Sequence, residues 1–242
     1  MKITLEDPTL FAKSIDLVSE LVLEVKMKVN EFGLSIVAID PANVSMVALR
    51  VPKSSFKEFE ADEETLGVNL ENLRKVLRRC GKSGELTLEK NQNMLDIRIE
   101  GRAKKSFSLS LMDVQGEEKE FPSHLEYASK VDISSEEFIE SVEDCAVVGD
   151  ACSFITQEDK FIVESKEMNS ARTEFSSDLA KIEGANSKSR YTIEYLHKFL
   201  KAGKSFERTV INFANDHPIR FDFNSEVLSL SFLLAPRIET DD

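Results

Sequence analysis

The chain has 242 residues, enough for two domains of about 120 residues each or for one large domain. With 41% apolar and 31% charged residues, its composition is typical of a globular protein and excludes a disordered or collagen-like one. Its formal net charge of −13 repels nucleic acid and anionic membranes, so binding to either requires a localised basic patch.

Cysteine usage and the N-terminal segment indicate a reducing compartment. The three cysteines, Cys80, Cys145 and Cys152, form no CxxC pair, which argues against a disulfide framework or a zinc site and predicts buried structural thiols. The segment MKITLEDPTLF lacks the apolar core of a signal peptide, and no segment approaches the ~20 apolar residues that span a bilayer. A cytosolic protein is expected.

The first predicted elements are a helix and several strands. TLFAKSIDLVSEL at 9–21 is amphipathic with a helical period, and the segments at 24–40 and 43–51 have the pattern of strands.

The segment LRKVLRRCGK at 73–82 is the most basic part of this acidic chain. At about 100° per residue, its apolar and cationic residues fall on opposite faces of a helix. The apolar face consists of Leu70, Leu73, Val76, Leu77 and Cys80. The cationic face consists of Arg74, Lys75, Arg78, Arg79 and Lys82. Asn69 as N-cap and Gly81 as a stop signal predict a helix over 70–81.

A helix followed by three strands occurs twice in the sequence. After the first basic helix, apolar and polar residues alternate in three segments, as they do in half-buried antiparallel strands. The segments are GELTLEK, NMLDIRIEG and KSFSLSLMD. The same order of one helix and three strands returns about 123 residues later, in YTIEYLHKFLKAGKS, RTVINFA, PIRFDF and VLSLSFLLA. We therefore predict an α+β protein of two homologous domains, 1–112 and 128–242, joined by a connecting loop at 113–127 that contains Gly116 and Pro122.

Motifs of enzymes are missing from this sequence. GKS occurs at 81–83 and 203–205, but a phosphate-binding loop needs an earlier glycine where Val76 and Lys198 stand. His124, His197 and His217 belong to no metal-binding or catalytic pattern. A hydrolase using clustered carboxylates rests on composition alone. We expect no catalytic residue, no metal and no cofactor.

Three segments resemble those of PCNA-type DNA sliding clamps, the archaeal ones most of all. They are VAIDPANVSMVAL at 37–49, GVNLENLRKVL at 67–77 and LLAPRIE at 233–239. The resemblance extends over essentially the whole chain, because the repeat, the connector ending in Phe121-Pro122 and the acidic tail follow in the same order.

The resemblance implies a clamp fold in which antiparallel sheets carry helices on one face. Three such subunits form a ring of pseudo-six-fold symmetry around duplex DNA, with the helices lining the hole. Phosphates would then meet cations without any base being read. The residues implied to face DNA are Lys13, Arg74, Lys75, Arg78, Arg79, Lys82, Lys198, Lys201 and Lys204.

The resemblance also implies two protein interfaces. A pocket for short partner peptides would involve Asn43, Val44, Met46, Phe121, Pro122, Pro218, Leu233, Leu234, Ala235, Pro236, Arg237 and Ile238. Subunit contacts would use edge strands that contain Phe107, Leu109, Leu111, Ala171, Thr173 and Phe175. The implied partners are double-stranded DNA, DNA polymerase, the clamp loader, flap endonuclease, DNA ligase and two further copies of this chain. The implied location is the cytoplasm, at the nucleoid, or the nucleus if the source is eukaryotic.

The predicted helix at 135–147 departs from the family, whose members usually place cations there. It carries Glu136, Glu137, Glu140, Glu143 and Asp144. The first helix is also mixed, since Lys13 stands against Asp16 and Glu20. Two alternatives therefore stay open: one subunit of a heterotrimeric clamp, or an acidic clamp-like interaction scaffold that does not encircle DNA.

Overall fold

The computed structural model describes residues 1–80, 84–115 and 119–238. The chain divides into two compact units. The first comprises Met1–Asn43, Val47–Phe121 and Ser225–Leu230, and the second Val44–Met46, Pro122–Asn224 and Ser231–Asp242. Of the predicted connector, residues 113–115 and 119–127 are described, and they contain no helix or strand.

The N-terminal half of the chain has the order strand, helix, five strands, helix, three strands. Its elements are β1 (Lys2–Leu5), α1 (Thr9–Val18), β2 (Glu24–Asn30), β3 (Gly33–Ile39), β4 (Ser45–Pro52), β5 (Glu58–Glu60), β6 (Glu64–Asn69), α2 (Leu70–Leu77), β7 (Glu85–Asn91), β8 (Met94–Glu100) and β9 (Lys104–Ser110). A 3₁₀ turn at Lys53–Ser55 follows β4.

The C-terminal half repeats this order. Its elements are β10 (Ser129–Ser134), α3 (Ser135–Ala146), β11 (Ala151–Gln157), β12 (Lys160–Lys166), β13 (Ser170–Phe175), β14 (Ala180–Gly184), β15 (Ser187–Thr192), α4 (Ile193–Gly203), β16 (Arg208–Phe213), β17 (Ile219–Asn224) and β18 (Ser229–Leu234).

The strand order within the sheets repeats as well. In the first half, β5-β1-β7-β8-β9 form one sheet and β4-β3-β2-β6 are neighbours in another. In the second half, the corresponding runs are β14-β10-β16-β17-β18 and β13-β12-β11-β15. Replacing each strand by its counterpart converts one pair of runs into the other. The predicted α+β class and internal repeat are confirmed.

The basic helix α2 forms where local signals place it. The Asn69 side-chain Oδ1 accepts a hydrogen bond from the Asn72 amide at 3.0 Å, so the predicted N-cap is confirmed. The buried residues of α2 are Leu70, Leu73, Val76 and Leu77. The helix ends at Leu77, earlier than predicted, because the amides of Arg79 and Cys80 bond to carbonyls three residues back and tighten the chain into turns.

Helix α3 is held to its own unit by aromatic packing. The Phe138 ring lies 5.5 Å from that of Phe154 and 5.7 Å from that of Phe221, centroid to centroid. Ile139, Val142 and Cys145 are buried on the same side of the helix. Since this side is occupied by the core, the glutamates on the opposite side face solvent.

The close approach of Met112 to Gly67 fixes the start of the connector. The Met112 amide donates to the Gly67 carbonyl at 3.0 Å. A Cβ at Gly67 would lie 1.9 Å from the Met112 carbonyl oxygen, so a side chain there would displace this backbone. No helix in the described part of the chain is long and apolar enough to cross a membrane.

Candidate nucleic-acid and partner interfaces

The exposed side of α2 and the turns that directly follow it carry four of the predicted DNA-facing cations. Lys75, Arg78 and Arg79 are exposed and Arg74 is half-buried, all opposite the buried apolar side. The structure thus brings these four together, and Lys82 lies outside the described residues.

Carboxylates engage three of these four cations. Asp16 of α1 accepts hydrogen bonds from Arg78 at its Oδ1 atom, 2.7 Å from Nη2 and 3.1 Å from Nε. The same Oδ1 lies 3.7 Å from Nε of Arg74. Lys75 pairs with Glu71 one helical turn earlier, 2.6 Å from Nζ to Oε1, and this contact lowers the pKa of Glu71. The four cations, Asp16 and Glu71 together leave a net charge of +2 on this face.

The predicted cations of the other helices have separate surroundings. Lys13 is exposed on α1. On α4, Lys198 lies 3.3 Å from Glu194 and 4.6 Å from the centroid of the Tyr195 ring. Lys201 on α4 and Lys204 at its C-cap are exposed. A cleft of about 450 Å³ in the second unit is lined by Glu143, Ala146, Val147, His197, Leu200, Lys201 and Lys204.

The exposed side of α3 is acidic. Glu136, Glu140, Glu143 and Asp144 are exposed, and the helix contains no lysine or arginine. A second cleft of the same unit, about 630 Å³, places Lys204 among Glu136, Glu140, Glu143 and Glu207. The surface made by α3 and α4 therefore combines acidic residues with the lysines of α4, whereas the face of α2 keeps a net positive charge after its two carboxylates are counted.

The C-terminal segment after β18 is fixed by hydrogen bonds and an ion pair. The amide of Ala235 donates to the Val44 carbonyl at 2.9 Å, and that of Arg237 to the Arg190 carbonyl at 2.7 Å. The Arg237 guanidinium bonds to Asp150 at 2.6 Å and holds the pKa of that carboxyl below its usual value. Ile238 follows with 67% of its surface exposed.

The other predicted pocket residues differ in exposure. Leu233 and Leu234 are buried, so they could form the floor of a pocket but not its rim. Val44, Met46, Pro122, Pro218 and Pro236 in the second unit are half-exposed. Asn43, in a left-handed conformation at φ 57°, and Phe121 belong to the first unit.

Tyr127 belongs to no motif of the sequence, and the structure places it beside His217, the residue before the predicted Pro218. Its ring packs edge-on against His217 at 5.7 Å, and its buried hydroxyl has no hydrogen-bond partner among the described residues. Burial raises the pKa of Tyr127 to about 12. No local spacing indicates this contact, because 90 residues separate the two rings along the chain.

The predicted interface residues lie on or beside edge strands of the sheets. In the order of its sheet, β9 is the last strand after β8, and β13 is the last strand after β12. Phe107, Leu109 and Leu111 are half-exposed, as are Ala171 and Thr173, while Phe175 is buried. Within the described residues, no group of three or more His, Cys, Asp or Glu could hold a metal ion.

Comparison with known proteins identifies the family of the chain. Residues 1–119 match the family model for proliferating cell nuclear antigen, N-terminal domain. Over 246 aligned positions, the chain is 35% identical to a DNA polymerase sliding clamp of Pyrococcus horikoshii, and the match covers 98% of each. The chain belongs to the PCNA family.

Further matches within the PCNA family extend over the same length. The DNA polymerase sliding clamp of Methanococcus maripaludis is 33% identical over 242 positions, which cover 95% of this chain and 96% of that one. A crystal structure of a PCNA2–PCNA3 complex from Sulfolobus tokodaii superposes with a TM-score of 0.89 at 24% identity, covering 99% and 100% of the two chains. The predicted PCNA resemblance and clamp fold are confirmed.

Proposed function

We propose that this chain is a DNA sliding clamp, a processivity factor without catalysis of its own that encircles duplex DNA and tethers DNA polymerase. The observation that carries the proposal is whole-chain similarity, at 35% identity, to archaeal relatives named DNA polymerase sliding clamp. The cationic face of α2 in a chain of net charge −13 is consistent with it.

DNA contact is assigned to the cations of α1, α2 and α4. Arginine and lysine neutralise phosphates without reading bases, so binding would be independent of sequence and sensitive to salt. Because Asp16, Glu71 and Glu194 lie among these cations, affinity for DNA would be low, and retention would come from ring closure.

Self-association is assigned to the edge strands β9 and β13. An open sheet edge can pair with another strand, and a head-to-tail contact closes into a ring when the rotation fits. Lys104 and Lys105 lie on β9, and the Lys105 ammonium bonds to the Arg79 carbonyl of α2 at 2.9 Å. Acidic α3 packs against β13. Pairing of β9 with β13 of another copy would therefore bring opposite charges together, which gives the acidic face of α3 a role.

Tethering of partners is assigned to the C-terminal segment and the pocket residues near it. Exposed Ile238 and half-exposed Val44, Met46 and Pro236 offer apolar surface for a helical plug that carries one aliphatic and two aromatic side chains. DNA polymerase, the clamp loader, flap endonuclease and DNA ligase are the partners expected to present such a plug.

A second candidate function, one subunit of a heterotrimeric clamp, is favoured by the uneven charge of the helices. If different chains form one ring, cations of another chain can compensate the negative charge of α3. Light scattering over a concentration range separates the two candidates. A mass near three times 27.3 kDa supports the homotrimer, whereas a persistent monomer supports the heterotrimer.

Encirclement itself is tested on circular DNA. With a clamp loader and ATP, the chain is expected to remain on nicked circular duplex and to slide off after the DNA is linearised. Equal loss from both forms would exclude a clamp and leave the acidic interaction scaffold.

A further inference from the structure

The carboxylate of Asp16 contacts two cations that are assigned to DNA. Its Oδ1 accepts from both Nε and Nη2 of Arg78, which together form one edge of the guanidinium. The same oxygen lies 3.7 Å from Nε of Arg74, a buried nitrogen without a hydrogen-bond partner among the described residues. One carboxylate thus partly neutralises two arginines, Arg74 in the last turn of α2 and Arg78 at its C-cap.

A phosphate would need the same donors. Paired N–H groups of a guanidinium bind carboxylate and phosphate oxygens in the same geometry, so Arg78 cannot offer this edge to both at once. The charge of Asp16 would also repel a phosphate that approaches Arg74 or Arg78. At 35% side-chain exposure, Asp16 is not sequestered from a ligand at this surface.

We propose that Asp16 restrains DNA binding by α2, because it competes with phosphates for Arg78 and lowers the positive potential around Arg74. The inference rests on the proposed clamp function. Under this proposal, α1 regulates DNA contact through Asp16. The cations bind DNA weakly enough for the ring to slide, and Asp16 sets their affinity for DNA.

The test measures binding of the full-length chain to a short fluorescein-labelled duplex by anisotropy, over a series of salt concentrations. Asp16→Asn keeps the shape of the side chain and removes its charge. It is expected to bind roughly two- to fivefold tighter at low salt, the range for exposed ion pairs. The log–log slope should steepen by about 0.9 if one more phosphate is neutralised. Glu71→Gln, which releases Lys75, should shift binding in the same direction.

Three controls make the outcome specific. Glu31→Gln removes the same charge from the turn between β2 and β3 and should leave affinity unchanged. Asp16→Asn combined with Arg78→Gln should lose the gain. Light scattering and thermal melts of each variant show whether assembly and stability are retained.

Two other results would overturn the inference. Unchanged affinity with a lower melting temperature would mean that Asp16 only joins α1 to α2. Weaker binding would mean that Asp16 orients Arg78 for DNA instead of competing for it. The clamp proposal is judged separately by Arg74→Glu, Lys75→Glu and Arg78→Glu combined. If this variant binds DNA like the wild type, the assignment of α2 to DNA fails as well.

Discussion

The backbone amide of Ala235 donates to the carbonyl of Val44 at 2.9 Å, which joins the residue after β18 to the residue before β4. Both residues belong to the second compact unit. Because this hydrogen bond fixes where the C-terminal segment leaves its sheet, Pro236, Arg237 and Ile238 start from a defined position. Ile238 is an exposed apolar residue on this fixed segment, and we predict that it contacts a bound partner.

Ile238→Ala is therefore expected to weaken partner binding without destabilising the fold. Ile238 is 67% exposed, and surface substitutions usually change the free energy of unfolding by no more than about 0.5 kcal/mol. The lost apolar contact with a bound peptide is worth on the order of 1 kcal/mol, about fivefold in affinity. The measurement is anisotropy of a labelled peptide that carries a glutamine, an aliphatic residue and two aromatics on one helical turn. Wild-type affinity would remove Ile238 from the pocket.

Leu234→Ala is expected to act through stability instead. Its side chain is 2% exposed, and truncating a buried leucine costs about 2–5 kcal/mol through lost burial and a cavity. Urea unfolding at fixed protein concentration measures this loss. If Leu234→Ala left the midpoint unchanged but abolished peptide binding, Leu234 would lie on the rim of the pocket, contrary to its burial.

Asn69→Ala tests the local signal that begins the basic helix. The Asn69 carboxamide satisfies the Asn72 amide at 3.0 Å, and loss of such a cap costs about 1 kcal/mol. Asn69→Ser, which keeps an accepting oxygen, is the matched control and should retain most of the stability. Equal urea midpoints for all three proteins would show that α2 is held by its buried leucines alone.

Local sequence signals were enough to predict α2 and the repeat. These signals are the N-cap Asn69, the spacing of apolar residues from Leu70 to Leu77, and the alternation of apolar and polar residues in the strands. Each signal spans only a few residues, so it is visible in the sequence without a structure. The glycine signal at 81 places the end of α2 too late, because it does not reveal that the chain tightens into turns after Leu77.

Contacts between distant elements could not be predicted in the same way. Asp16 and Arg78 are 62 positions apart, and only the packing of α1 beside α2 makes them a pair. The motif at 233–239 likewise indicated a pocket without separating buried Leu233 and Leu234 from exposed Ile238. The assignments to DNA, peptide and subunit contacts stay predictions.

The pair of Asp150 and Arg237 has an expected pH dependence. The guanidinium lowers the pKa of Asp150 below 3.8, so the folded state binds this proton less readily than the unfolded state. Its contribution to stability is therefore complete above pH 3.8 and is lost as the pH falls through the lower folded value. NMR titration of the Asp150 carboxyl measures the shift directly. Arg237→Gln should return this pKa toward its ordinary value, and an unchanged titration would show that the ion pair does not persist in solution.

Charge reversal at the edge of the sheet tests how the ring assembles. If β9 pairs with β13 of a neighbouring copy, Lys104→Glu with Lys105→Glu would place acidic groups opposite α3, and repulsion should dissociate the assembly into monomers. Glu140→Lys with Asp144→Lys alone should dissociate it too, whereas the combined variant should restore a mass near three times 27.3 kDa. Raising the salt concentration should weaken the wild-type assembly, since exposed charges are screened within about 8–10 Å.

Light scattering gives the masses of these assemblies, and melting temperatures confirm that each variant folds. Two reversed variants that both remain trimeric would exclude charge pairing between β9 and α3, and a monomeric combined variant would exclude their direct opposition.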